Sequence, residues 1–434
     1  MNTWTKALLP ILGVALLLRI AAAVMMARPH VPEGDIQNDM YAQSMAAGKG
    51  FRIDGSLSAK GNETPGSFGL DTLYSFKPPL YPLFLAGIYK TMSRNFVVVG
   101  VVQAVLGMLT CLLVYGIGRR VCDRRVGVLG AGILAVYPYH VIMASRVSDT
   151  TLFTLLMSLT VIVFMDLASK PTRMRVLVAG AVLGAGILCR SNMLFFAPLA
   201  IFWVLLRLWP EKIRAFKVAI GTGVVMILAL LPWMARNYVV HGQLVLLGTN
   251  GGYTFWQSHN PFTEKYLRMG SDLDPIAFNE GIDWQNKGLD GLSEADQDHW
   301  FYREGFSFIR QHPLEPVRLA GLKLWSLWGW NLYPDSGNPK KNALFTLTYA
   351  PLFVLCLVGM VVSRKQWRSA SLLWFAFIAF SVVYVVFYGK TIYRCPLDPL
   401  ILVFAACALM KGFDFLRPGG SEERCHSEKG TAIR

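Results

Sequence analysis

Ten stretches of 13 to 22 mostly apolar residues recur along the sequence, and a span needs about 20 such residues. They are Ala7 to Met26, Phe96 to Ile117, Val126 to Ser145, Thr150 to Ala168, Val176 to Leu188, Met193 to Leu206, Ala215 to Ala235, Ala343 to Val362, Ser369 to Tyr388 and Leu397 to Met410. A chain of 434 residues that is 54% hydrophobic and 16% charged is too apolar to be a soluble globule. The expected fold is therefore an all-α polytopic membrane protein with about ten transmembrane helices. Ala21 to Ala23 could imitate a signal-peptide cleavage site, but the apolar run continues past it and carries Arg19, which reads as an uncleaved span. The seven cysteines form no Cys-x-x-Cys pair and suggest neither a disulfide framework nor a zinc site.

The net charge of +15 does not point to nucleic acid, because the basic residues gather in short connections: "GRRVCDRRVG", "SKPTRMR", "RLWPEKIRAFK" and "SRKQWR". Such clusters mark cytoplasmic loops. Placing all four inside puts the N-terminus inside and leaves two large outer loops, residues 28–95 and 236–342, within a membrane domain of residues 1–411. The remaining residues, 412–434, read as a disordered cytoplasmic tail. The parity holds only if "LYPLFLAGIYKTM", Leu80 to Met92, does not cross, and its length, Pro82 and Lys90 favour a helix that lies in the outer interface or dips in and out. The acids strung through the second loop, from Asp272 to Asp298, read mainly as solvated surface. Within that string, Ser293 with Asp296 opens a helix that stops before His312. Trp325, Trp328, Trp330 and Tyr333 mark another helix at the interface.

Ionisable residues at the ends of spans carry more information, since charge in hydrocarbon is costly and usually functional. Lys77, Arg146, Asp149, Arg190, Arg236, Lys390 and Arg394 all fall at the outer ends, where basic residues should be scarce. A set of guanidinium and ammonium groups there suits an anion at headgroup level, and a phosphate best.

"FKPPLYPLFLAGIYK", the preceding "AGKGF", and later "GRRVCDRRVGVLGAGILAVYP", "GILCRSNMLFFAP", "LPWMARNYVVHG" and "YRCPLDPL" resemble the polyprenyl-phosphate-sugar-dependent glycosyltransferases of membrane superfamily C (GT-C). The nearest branch by resemblance is family 39, which holds protein mannosyltransferases and aminoarabinose transferases. The likeness runs from Arg19 to about Cys407. It implies sugar transfer from a polyprenyl-phosphate donor to an unidentified acceptor (protein, lipid or glycan), at the outer face of a plasma or bacterial inner membrane. It also implies a first-loop aspartate that takes the acceptor's proton and cations that steady the departing phosphate. Similar enzymes place the aspartate upstream of a segment matched by Ala42 to Phe51, with an aromatic four residues after it. Here Tyr41 follows Asp35 by six residues and Asp39 by two, so spacing does not choose between them.

Asp35 is preferred because Gly34 lets the chain turn where it leaves the membrane. Asp39 would open an amphipathic helix and serve its N-terminus. Asp149 matches an acid that opens a later span in relatives. Arg190 and Arg394 match positions near the lipid phosphate, and Tyr81 belongs to the "PPLYP" loop. A divalent Mg or Mn near Asp35 or Asp149 is chemically reasonable, although no spacing demands it. The alternative reading is a polytopic transporter or lipid-linked sugar flippase, which would favour mid-membrane sites and inverted repeats; neither is visible. A polysaccharide polymerase or ligase is a third, and the "PPLYPLFLA" loop speaks against it.

Overall fold

A computed structural model describes residues 3–26, 36–54, 70, 72–269, 288, 289, 291–330 and 339–416. The ten expected segments are all helical: α1 Thr3–Met25, α4 Phe96–Val121, α5 Arg124–Val136 continued by α6 Pro138–Ala144, α7 Thr150–Ser169, α8 Arg173–Cys189, α9 Met193–Arg207, α10 Lys212–His241, α15 Pro339–Val362, α16 Trp367–Val386 and α17 Asp398–Leu416. Among the described residues, seven helices are long and apolar enough to cross a membrane, and α5 with α6 makes an eighth if counted as one bent span. At 17 and 15 residues, α8 and α9 are longer than the apolar runs that marked them but shorter than the about 20 residues a span needs. The last helix, α17, runs on to Leu416, past the expected end of the membrane domain at residue 411, and the rest of the expected tail lies outside the described residues.

Between these lie α2 Ile36–Ala46, the strands β1 Ile53–Asp54 and β2 Thr72–Leu73, α3 Leu80–Met92, α11 Gly251–Gln257, α12 Thr263–Met269, α13 Glu294–Gln311 and α14 Glu315–Trp328. The strands pair antiparallel, Ile53 with Leu73 and Asp54 with Thr72. Ser293 caps α13 by accepting from the Asp296 amide, and the helix ends at His312, as its sequence foretold. In contrast, α2 starts three residues before Asp39, and nearly all its faces are buried.

The expected span from Val126 to Ser145 is broken, and α5 meets α6 at 59°. Pro138 is the cause. In a continuous helix the Leu134 carbonyl would accept from residue 138, and proline has no N–H to give. Arg19, only 1% exposed in the middle of α1, repairs the gap. Its guanidinium donates to the Leu134 carbonyl at 2.9 Å, to Ala135 at 2.9 Å and to Ala15 in its own helix at 3.0 Å. A charge at this depth is tolerated because it meets carbonyls at the break, where Leu134 otherwise accepts only a 3.4 Å bond from the Tyr137 amide. The guanidinium lies against α4 where only a glycine fits: a Cβ on Gly107 would stand 2.6 Å from Arg19 Nε.

The cysteines depart from expectation. Cys122, at the end of α4, is disulfide-bonded to Cys407 of α17, with their Cα atoms 6.8 Å apart.

Candidate active site

All the bundle helices share one polarity of ends. The Arg- and Lys-rich connections 119–125, 170–175, 207–217 and 364–368 close helices at one end. The other end holds a cavity of about 800 Å³, lined by residues from the close of α1, the start of α4, the α6–α7, α8–α9 and α10–α11 connections, the start of α15 and the segment after α16. Phe96 and Lys77 both lie on its wall, so the segment between them, which holds α3, starts and finishes at this end of the bundle.

Four of the predicted cations line the cavity, each from a different connection: Lys77, Arg146, Arg190 and Lys390. Asp149 joins them. Arg190 closes α8 with its ring of N–H groups turned to Asp149: Nε donates to Oδ2 at 3.0 Å, a second nitrogen donates to Oδ1, and that nitrogen also reaches Thr150 Oγ1 at 3.2 Å. The guanidinium stands 5.1 Å from the Phe153 ring and 5.9 Å from that of Tyr393. Its third nitrogen is buried and has no hydrogen-bond partner among the described residues. A planar fork fixed on one edge and unspent on the other suits an anionic oxygen.

Tyr81 and Arg236 do not line the cavity; they set the positions of groups that do. Tyr81 is buried and donates to Gln103 Oε1 at 3.0 Å, while the Gln103 amide donates to the carbonyls of Ala144 at 3.0 Å and Arg146 at 2.6 Å. The turn that carries Arg146 is thereby held to α3 and α4. Arg236 donates to the Tyr74 carbonyl at 2.8 Å, to Ser75 Oγ at 2.7 Å and to the Phe51 carbonyl at 2.6 Å, two residues short of Lys77. Glu294 of α13 completes this clasp: it accepts from the amides of Tyr74 at 2.5 Å and Ser75 at 3.0 Å. The segment bearing Lys390 is fastened by α14, whose Lys323 donates to the Val385 carbonyl at 3.0 Å and whose Ser326 donates to that of Gly389 at 3.2 Å.

Arg394 is not brought to the cavity. It is fully buried, donates to Asp398 Oδ1 at 3.2 Å and stacks 3.5 Å from the Tyr349 ring centre, while Asp398 also meets His140 at 3.2 Å. The expected place beside a phosphate is taken by an internal ion pair.

Asp39 is likewise committed. Its carboxylate accepts from Tyr89 Oη at 2.6 Å, from Arg94 at 3.1 and 2.7 Å, and from Gln43 at 2.8 Å, and it does not line the cavity. Its partners are therefore side chains, and the helix-end role expected for it is not what the carboxylate does. Asp35 lies outside the described residues. Its neighbour in sequence, Asn38, is on the cavity wall.

The Mg or Mn considered from sequence finds no fit among the described residues. Both oxygens of Asp149 are held by Arg190, and no three His, Cys, Asp or Glu side chains stand together. Sequence reasoning missed Gln103, Glu294 and Asp298. A glutamine inside an apolar run, "VVQAVLG", was the available signal for the first; the other two were hidden in a loop rich in acids.

Residues 76–235 match the family model described as dolichyl-phosphate-mannose-protein mannosyltransferase. Among solved structures it is similar to the archaeal oligosaccharyltransferase AglB from Archaeoglobus fulgidus in complex with an inhibitory peptide and a dolichol-phosphate (15% identity, TM-score 0.58), covering 100% of this chain and 52% of that one. The apo form of the same archaeal enzyme gives 17% identity and TM-score 0.58, with 100% of this chain and 53% of that one covered. The chain thus spans about half the length of these solved chains and shares their fold. ArnT from Cupriavidus metallidurans bound to undecaprenyl phosphate is 15% identical over 93% of this chain and 78% of its own, at a TM-score of 0.44 that supports no further comparison. No curated protein matches the chain.

Proposed function

We propose that the protein transfers a sugar from a polyprenyl-phosphate-linked donor to an acceptor at the outer face of a membrane, the bacterial inner membrane being the expected one. The observation that carries this reading is the convergence of Lys77, Arg146, Arg190 and Lys390, from four separate connections, on a single cavity at the end of the bundle away from its basic clusters. Clusters of Lys and Arg favour the cytoplasm, so the cavity end is the outer one. Four cations held there against that bias suit a phosphate at headgroup level.

In the reaction, an acceptor oxygen attacks the anomeric carbon, the bond from that carbon to the phosphate oxygen breaks, and its electron pair leaves with the polyprenyl phosphate. Lys77, Arg146, Arg190 and Lys390 stabilise the charge that gathers on the leaving group. Asp149 keeps the Arg190 plane turned toward it. Asp35 is the proposed base for the acceptor's proton, since Asp39 already accepts from Tyr89, Arg94 and Gln43. The donor named by the family model makes mannose the first sugar to try.

The test is turnover of polyprenyl-phosphate mannose by detergent-purified protein, alongside mass spectrometry of glycoconjugates from cells with and without it. Wild type should consume the donor, and Asp35→Asn should fall about 100-fold or more, the scale of general-base loss. Absence of donor consumption together with unchanged glycoconjugates would sink the reading.

A further inference from the structure

The acids of the second large loop read in sequence as surface, yet α13 turns two of them inward. Glu294 and Asp298 stand four residues apart, on one face of the helix. Glu294 is buried and its oxygens are taken by the Tyr74 and Ser75 amides and the Thr249 hydroxyl. Asp298 lines the cavity together with His299 and Tyr302. Its Oδ1 accepts from the Gly252 amide at 2.6 Å; among the described residues Oδ2 accepts no hydrogen bond and the carboxylate has no ion pair.

This placement is built into the chain. The helices α11 and α13 approach so closely that a Cβ on Gly252 would lie 2.0 Å from the Asp298 carbonyl oxygen, and one on Gly251 would lie 2.5 Å from Tyr302 Oη. The adjacent glycines in "TNGGYTF" are what let Asp298 and Tyr302 reach the wall. Burial pushes the Asp298 carboxyl up to about 6, with the Gly252 amide and His299 pulling the other way. A carboxylate desolvated this far gains from any ligand that donates hydrogen bonds to it.

Two carboxylates line the cavity among the described residues. Asp149 is spent on Arg190, so Asp298 is the one with an oxygen to offer, and an anionic phosphate would be repelled by it. We infer that Asp298, with Tyr302 one turn further along α13, forms the subsite that binds a hydroxyl group of the acceptor. This rests on the glycosyl transfer proposed above and supplies the place of its second substrate.

Asp298→Asn isolates the charge, because the amide oxygen can still accept from Gly252. Undecaprenyl phosphate binding by the purified protein reports the donor side and the fold, and mass spectrometry of glycoconjugates from cells carrying either form reports transfer. Binding within about twofold of wild type, with conjugates reduced about tenfold or more, is expected from loss of a charge-assisted hydrogen bond. Conjugates at the wild-type level would overturn the subsite. So would loss of undecaprenyl phosphate binding along with the conjugates, since Asp298 would then maintain the cavity and not select the acceptor. If wild type itself neither binds undecaprenyl phosphate nor alters glycoconjugates, the transferase reading fails and takes the subsite with it; the first two outcomes leave that reading standing.

Discussion

Arg190 and Arg394 carry the same side chain and follow helices of the same bundle, but their surroundings set them to different work. Arg190 has one edge on Asp149 and lines the cavity, whereas Arg394 is wholly enclosed with Asp398, His140 and Tyr349. Arg190→Lys should keep the fold and weaken undecaprenyl phosphate binding about tenfold, because an ammonium cannot hold both Asp149 oxygens and still present a planar pair of donors. Arg394→Met should leave Asp398 buried without its cation, a loss on the order of 3–5 kcal/mol, read as a lower thermal midpoint in detergent. Weaker binding by Arg394→Met at an unchanged midpoint would return that residue to the phosphate site. The sequence put both arginines at the right helix ends. It could not separate them, because which side chain faces an ion-pair partner is decided by helices distant in the chain: Asp149 lies 41 residues before Arg190, and His140 meets Asp398 across 258.

At the scale of elements, the break between α5 and α6 shows what an apolar run conceals. Hydropathy sees one segment from Val126 to Ser145, and Pro138 within it signals the kink without telling what satisfies the freed carbonyls. Arg19 does so from a helix whose contact with α5 no periodicity encodes. Replacement of Arg19 by Met should therefore lower the thermal midpoint, each carbonyl left unpaired costing about 1–3 kcal/mol. Gly107→Ala should do the same by displacing the guanidinium, and the double variant should lose less than the sum of the two, since both act on one contact. A Gly107→Ala midpoint equal to wild type would show that the guanidinium does not need that gap. What was legible at this scale is local: the ten helical segments, the Ser293 cap and the short helix α3 all follow from short-range composition. What was not legible is relational. Asp39 reads as a helix-end acid, and only the packing of α3 on α2 brings Tyr89 and Arg94 to it.

For the molecule as a whole, the cavity and the basic clusters occupy opposite ends, and the sidedness of the membrane follows from that separation if charge bias governs insertion. Single cysteines test it, with the native ones replaced by serine. An impermeant maleimide added to intact cells should label Arg310→Cys on α13 and spare Lys170→Cys between α7 and α8. Labelling of Lys170→Cys from outside would invert the topology. The clasp between the two loops has a further bearing, on biogenesis. Ser75 waits for Glu294, which is made 219 residues later, so the clasp on the first loop stays incomplete until α13 has been synthesised. A truncated product that stops before α13 would insert its early helices and keep the Arg236 contacts, yet lack the carboxylate that takes the Tyr74 and Ser75 amides. Synthesis order thus makes the cavity wall that carries Lys77 one of the late parts of the molecule to be secured.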